Sequence, residues 1–207
     1  MADLLLTLGQ DLSGAPLTFD LARMPHLLSG GMAGSGKTFC IDSLCAQLEG
    51  RAEIRRLNTE HPASAVLTLR AAAEELDARL AALKAANVRQ INQYQPQMSR
   101  IVLVLDEYSH LYIAHGEETE RLLLHIAQYG RLAGLHLILS TQRVQPEVLS
   151  GLLRANLPSR IAFRVATAEH SRALLDCPGA ERLERPGDAL FYPAGAQEPI
   201  PVRCTAI

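Results

Sequence analysis

Three short stretches hold the residues whose types and spacing could do chemistry together. The first is Gly31-Met32-Ala33-Gly34-Ser35-Gly36-Lys37-Thr38, a glycine-rich loop ending in Lys-Thr. In such a loop successive backbone N–H groups turn inward toward phosphate oxygens. Lys37 then reaches the β- and γ-phosphates, and the Thr38 hydroxyl sits on Mg²⁺. The stretch expected to touch a nucleotide runs from Gly31 through Phe39. The second stretch is Asp106-Glu107, placed directly after the apolar run "IVLVL". An acid there suits a magnesium ion held through water, which gives Asp106 its expected role, and Glu107 would polarise the attacking water. Glu107 is what argues for hydrolysis over nucleotide binding alone. The third stretch is Thr141-Gln142-Arg143, after the run "LHLILS". Gln142 could sense a γ-phosphate or position water, or be an ordinary polar residue after a strand. Arg131 has two readings, a working cation or a charge favourably placed at a helix C-terminus.

These stretches share a site only if the elements around them are arranged to bring them together. Residues 26–29 form a short apolar run before the glycine loop, and a helix is expected over residues 37–48. A strand before the loop and a helix after it are the context that the phosphate-binding motif requires. Residues 101–105 and 135–140 are continuous apolar runs, the pattern of central parallel strands buried on both faces. In a parallel sheet the strand C-termini meet at the ligand crevice, so Asp106, Glu107 and Gln142 should face the loop.

The remaining segments fill in that frame. Residues 4–8 and 17–19 flank the turn cluster "GQDLSGAP" and predict an opening hairpin. A weak strand is read near residues 54–57. In residues 69–87 Leu69, Ala73, Leu76, Leu80 and Leu83 recur at steps of three and four, which predicts an amphipathic helix with Glu75 facing Arg79. Residues 117–128 predict another helix, and "PEVLSGLLRANLP" a short one stopped by Pro158. "SRIAFRV" reads as a strand, "EHSRALLD" as a helix, and "GDALFY" with "IPVRC" as closing strands. Strands alternating with helices indicate a three-layer α/β domain with a mainly parallel sheet and antiparallel additions near both termini. One domain over residues 1–207 is expected, with residues 1–25 as the hairpin and 26–207 as the core.

Composition excludes several other classes. The chain has 207 residues, 48% hydrophobic and 20% charged, with a net charge of −2, so no global basic field draws it to nucleic acid. Any polyanion must be gripped by local arginines, because lysine occurs only at Lys37 and Lys84. Cys40, Cys45, Cys177 and Cys204 lack metal-ligand spacing and read as reduced packing residues of a cytoplasmic protein. Cys40 and Cys45 lie five apart in the predicted helix and should not share a face. No apolar run is long enough to span a membrane, and no signal peptide opens the chain. His110, His115, His125 and Tyr129 read as helix-surface residues, and no Ser-His-Asp or Cys-His set is present.

The order "LGQDLSGAPLTFDLARMPHLLSGGMAGSGKT", "LVLDEYSHL", "RLAGLHLILSTQR", "GLLRANLPSRIAFRV", "SRALLD", "PGAERL" and "GDALF" resembles the FtsK/SpoIIIE group of DNA-pumping ATPases, with the match covering most of residues 4–50 and 66–204. That resemblance implies a RecA-like P-loop fold, ATP and Mg²⁺ as cofactors, and a hexameric ring around double-stranded DNA. It implies that Arg131 is an arginine finger completing a neighbour's site and that Gln142 is the sensor. It implies that Arg143 lines the pore, touching DNA phosphates without reading bases.

The departures are equally specific. Residues 50–66 are shortened and lack the group's usual Asp-Pro-Lys, and Ala168 and Glu169 stand where a second pore loop often carries lysine. The group's membrane anchor and winged-helix domain are not seen. A compact DNA translocase is therefore expected, in one reading a viral genome-packaging ATPase that is virion-associated and docks on a portal or capsid vertex. The alternatives are a plasmid or conjugative DNA pump at a transfer complex, and a nucleotide-switched binding protein that does not pump.

Overall fold

A computed structural model of the chain describes residues 4–205. Among those residues five α-helices and nine strands alternate as expected for an α/β protein. The strands are β1 (Leu5–Gln10), β2 (Pro16–Asp20), β3 (His26–Gly30), β4 (Glu53–Leu57), β5 (Ile101–Leu105), β6 (Leu135–Thr141), β7 (Ser159–Phe163), β8 (Asp188–Tyr192) and β9 (Ile200–Cys204). The helices are α1 (Lys37–Leu48), α2 (Pro62–Ala85), α3 (Tyr108–Ala133), α4 (Gly151–Ala155) and α5 (Ala168–Leu175). All nine strands join one sheet in the order β2-β1-β9-β8-β7-β3-β6-β5-β4. The run β7-β3-β6-β5-β4 is parallel, while β1, β2, β8 and β9 pair antiparallel at one side.

Period-2 alternation divides the central strands between two apolar layers. Ile101, Leu103 and Leu105 of β5 face a core shared with α2, α3, α4 and α5. Val102 and Val104 face a second core built with α1 and the N-terminal hairpin. Leu28 and Leu27 of β3 divide in the same way. Because both faces are covered, β3, β5 and β6 are buried throughout, which is why their sequences read as unbroken apolar runs.

Two helices differ in extent from the sequence reading, and a third in which side chains it buries. α3 begins at Tyr108, well before the expected Glu117, and continues to Ala133. Gly116 interrupts it at φ 28 and ψ −112, a glycine kink inside one element. The Thr119 hydroxyl donates to the Leu111 carbonyl across the kink, at 3.5 Å. α2 begins at Pro62, where proline suits a first turn that lacks N–H partners. From Leu69 onward it packs as predicted, with Leu69, Ala73, Leu76 and Leu83 buried and Leu80 partly so. In α1, Cys40 and Cys45 are both buried in the same core, because the buried arc of that helix is wide enough to include both.

Polar ties fix the helices to the sheet. Arg79 of α2 donates to Glu75 and, through Nη1, to the carbonyls of Ser99 (2.7 Å) and Ala133 (3.2 Å). The Ala133 carbonyl ends α3, where a cation is favoured by the helix dipole.

Two buried histidines pin β3 and β6 together. His26 Nε2 donates to the Ala127 carbonyl at 3.0 Å while its Nδ1 accepts from Leu137 N. His136 Nδ1 donates to the Pro25 carbonyl and its Nε2 accepts from Arg100. Each neutral ring therefore uses one donor and one acceptor, and a second proton would meet another N–H. Burial depresses His26 to about 3, with charge on His136 next in effect, and depresses His136 to about 4. The unfolded chain takes up protons near 6.5 that the folded chain refuses, so this contribution is complete above pH 6.5 and is lost as pH falls toward 4. Each histidine adds at most about 1.4 kcal/mol of instability per pH unit in that window. Thermal unfolding from pH 7 to 4.5 should show a falling midpoint, and His136→Gln should flatten the slope.

Candidate active site

The glycine loop connects β3 to α1 and is suspended from three neighbouring segments. Gly31 N donates to the Thr141 carbonyl of β6, and Met32 N to the Arg164 carbonyl just beyond β7. Gly187 N, in the turn before β8, donates to the Ser35 carbonyl at 3.0 Å. Within the loop the Ser35 hydroxyl donates to the Met32 carbonyl at 2.7 Å. Gly36 caps α1 in the left-handed region, φ 102, and a Cβ there would sit 2.7 Å from Gly187 N. Both facts demand glycine, so the loop is fixed by close packing as well as by backbone torsion. The first turn of α1 then aims its free N–H groups and the positive end of its dipole at the crevice.

Lys37 opens that turn. Its ammonium donates to the carbonyls of Gly31 (2.7 Å) and Met32 (2.9 Å). Burial pulls its pKa below the ordinary lysine value, opposed by the nearby carboxylates of Glu107 and then Asp106. The Thr38 hydroxyl donates to Asp106 Oδ2 at 3.1 Å, joining the loop to the end of β5. The Asp106 carbonyl accepts from Thr59, a buried residue just after β4, at 2.6 Å.

Glu107 stands at the N-terminal boundary of α3 with left-handed backbone torsions, φ 66 and ψ 67, which are costly for a residue with a Cβ. Its carboxylate accepts from Gln142 N at 3.0 and 3.2 Å, from the Thr141 hydroxyl at 3.2 Å and from the Ser109 hydroxyl at 2.5 Å. The reason it meets these groups is topological: β6 lies between β3 and β5. The end of β6 is therefore wedged between the loop and the two acids.

The structure thus gathers Lys37, Thr38, Asp106, Glu107 and the backbone of Gln142. Phe39 is half-exposed on the first turn of α1, and Met32 is exposed on the loop. Gln142 and Arg143 have exposed side chains at the end of β6. Arg131 is exposed near the end of α3 and stays apart. The seven residues of β6 separate it from Thr141, a span of roughly 20 Å at ~3.3 Å per residue.

Sequence reasoning missed Thr59, Ser109 and Gly187, and gave Thr141 no role beyond ending the strand before Gln142. Ser109 sits two residues after Glu107, which is a local signal; Thr59 and Gly187 have none. The histidines of α3 make no metal cluster, and His125 instead bonds Asp77 at 2.7 Å. Among the described residues no group of three His, Cys, Asp or Glu side chains could hold a metal alone. The donors present fit a nucleoside triphosphate: main-chain N–H groups at a helix N-terminus, one ammonium, and a hydroxyl–carboxylate pair at cation-binding distance of each other.

Sheet order, loop and strand-end acids define the class, a RecA-like P-loop ATPase domain. The family model described as "AAA domain" matches residues 26–149, more than half of the chain. The chain belongs to that family. It is 35% identical, over 98% of its own length, to the DNA translocase FtsK of Caldanaerobacter subterraneus subsp. tengcongensis, of which it covers 33%. It is 32% identical over 98% of its length to the DNA translocase SpoIIIE of Bacillus subtilis, covering 30% of that protein. The chain thus spans about a third of the curated relatives it matches. Among solved structures, the pCW3 conjugation coupling protein TcpA, in its monomer form with ATPγS, superposes with a TM-score of 0.89 at 23% identity, covering 99% of this chain and 66% of that one. That likeness speaks for the fold. Among the described residues no helix is long and apolar enough to cross a membrane.

Proposed function

We propose that this chain is the motor domain of a DNA translocase, hydrolysing ATP with Mg²⁺ in a ring of like subunits around double-stranded DNA. The observation that carries the reading is similarity to FtsK and SpoIIIE along 98% of the chain, at a site where Lys37, Thr38, Asp106 and Glu107 converge.

In this reading the first turn of α1 and Lys37 bind and orient the triphosphate, with Lys37 leaving its carbonyl partners for the terminal phosphates. Thr38 and Asp106, already within hydrogen-bond distance, would hold Mg²⁺, which supplies charge neutralisation when bound. Glu107 takes a proton from the attacking water, with its carboxylate oriented by the end of β6. Gln142 follows the γ-phosphate from the neighbouring strand. Arg131, roughly a strand length away from its own site, serves the next subunit, which makes a ring the natural assembly. Arg143 projects beyond β6 toward DNA phosphates. The start of α5 carries Ala168 and Glu169, so the second loop adds no cation there. Identity of 32–35% to proteins named as DNA translocases favours a pump of the FtsK kind over genome packaging.

ATP turnover measured with and without long double-stranded DNA of mixed sequence tests this. Stimulation should be independent of sequence and should fall by orders of magnitude in apparent affinity between ~50 and ~200 mM salt. Turnover indifferent to DNA at every salt concentration sinks the motor reading and leaves a nucleotide-switched binding protein.

A further inference from the structure

The four hydrogen bonds on Glu107 are unevenly shared between its two oxygens. Oε1 accepts from Ser109, Thr141 and Gln142 N, whereas Oε2 accepts from Gln142 N alone. A carboxylate offers about four lone-pair sites in all. Oε1 is therefore saturated, and Oε2 is the oxygen with capacity for a water. Ser109 and Thr141 are themselves buried, at 1% and 0% exposure, so neither hydroxyl has bulk solvent as an alternative partner.

Thr141 does something Ser109 does not. Its hydroxyl accepts from Arg143 N at 3.0 Å and lies 3.0 Å from the Arg143 carbonyl, as well as 3.2 Å from Glu107. A hydroxyl has one proton. Two acceptors, a carboxylate in the nucleotide site and a carbonyl in the loop beyond β6, thus compete for it. Which acceptor receives the proton depends on where the Arg143 backbone lies. Any displacement of that loop changes the hold on Glu107, and the reverse is equally true.

We infer that Ser109 and Thr141 are positioning residues that fix the Glu107 carboxylate by Oε1, and that Thr141 additionally couples Glu107 to the backbone of the Arg143 loop. The inference rests on the proposed roles of Glu107 and Arg143, and it gives roles to Ser109, which no motif marks, and to Thr141, which the strand-end stretch left without one. Ser109 contacts only the carboxylate, so it affects the chemical step alone. Thr141 contacts both, so it transmits the state of the DNA-facing loop to the base.

The test compares wild type with Thr141→Val, Thr141→Ser and Ser109→Ala, measuring kcat and KM for ATP with and without long double-stranded DNA. Ser109→Ala should lower kcat about tenfold in both conditions, as expected for one hydrogen bond to a charged group, with KM and the stimulation ratio unchanged. Thr141→Val should keep KM and lose about tenfold of the DNA stimulation, and Thr141→Ser, which restores the hydroxyl, should recover it. A valine variant stimulated like wild type overturns the coupling, as does a serine variant no better than valine. An unchanged kcat in Ser109→Ala overturns the positioning role, and this arm decides the matter if the valine variant does not fold. Wild-type turnover that ignores DNA removes the motor reading and the coupling together, while the Ser109 result still reports on the hold at Oε1.

Discussion

Arg131→Ala should lower ATP turnover by about 10³-fold or more, the usual effect of removing an arginine that neutralises transition-state charge. Nucleotide affinity should survive, because nothing in the subunit's own phosphate grip touches this residue. The physical reason is distance. Arg131 lies near the start of β6 and the phosphate loop beside its end, and no side chain bridges a strand of seven residues. Mixing separates this from a folding defect. Lys37→Ala lacks its own site but keeps Arg131, while Arg131→Ala keeps its site but has no arginine to lend. Mixed in one assembly, they should recover a measurable share of wild-type turnover. Mixtures as inactive as either variant alone would show that Arg131 does not act across subunits. If Arg131→Ala keeps full activity, the residue is a helix-terminal cation and nothing more.

Glu107→Gln is the second large effect. It preserves side-chain shape and removes the base, so turnover should fall by about 10²–10⁴-fold while ATP affinity holds. An equilibrium binding measurement beside a turnover assay checks both halves. Glu107 earns this weight from its surroundings: a left-handed backbone and four hydrogen bonds from Ser109, Thr141 and Gln142 are a costly way to hold a residue with no task. A glutamine variant that turns over at the wild-type rate would assign the water-polarising role elsewhere, with Gln142 the next residue to examine. Loss of binding together with turnover would mark Glu107 as part of the phosphate grip.

Much of the frame was legible because burial on both faces leaves a plain signature. β5, read at residues 101–105, spans Ile101–Leu105, and α1, read at 37–48, spans Lys37–Leu48. A continuous apolar run admits little else, and a glycine loop followed by Lys-Thr sets a helix start to the residue. The helix expected over residues 117–128 fell short of α3 at both ends. Packing of α3 against α2 and β6 carries it through a kink at Gly116. Residues 50–66 were nearly silent, and they contain Thr59, whose hydroxyl fixes the Asp106 carbonyl. A lone threonine after a weak strand has no pattern to betray it.

By itself the sequence determined which chemistry is available: a phosphate loop, two acids after a buried strand, and a Thr-Gln-Arg strand end. Each is a contiguous motif whose meaning depends on neighbours one to eight positions away. Only the tertiary structure decided how they meet. Inserting β6 between β3 and β5 brings Thr141 and Gln142 onto Glu107, and the length of that same strand keeps Arg131 away from them. Strand order is set by how whole layers pack, and no local stretch of residues encodes it. So the parts of the site were readable, and their arrangement, including the hydroxyl that joins Glu107 to the Arg143 loop, was not.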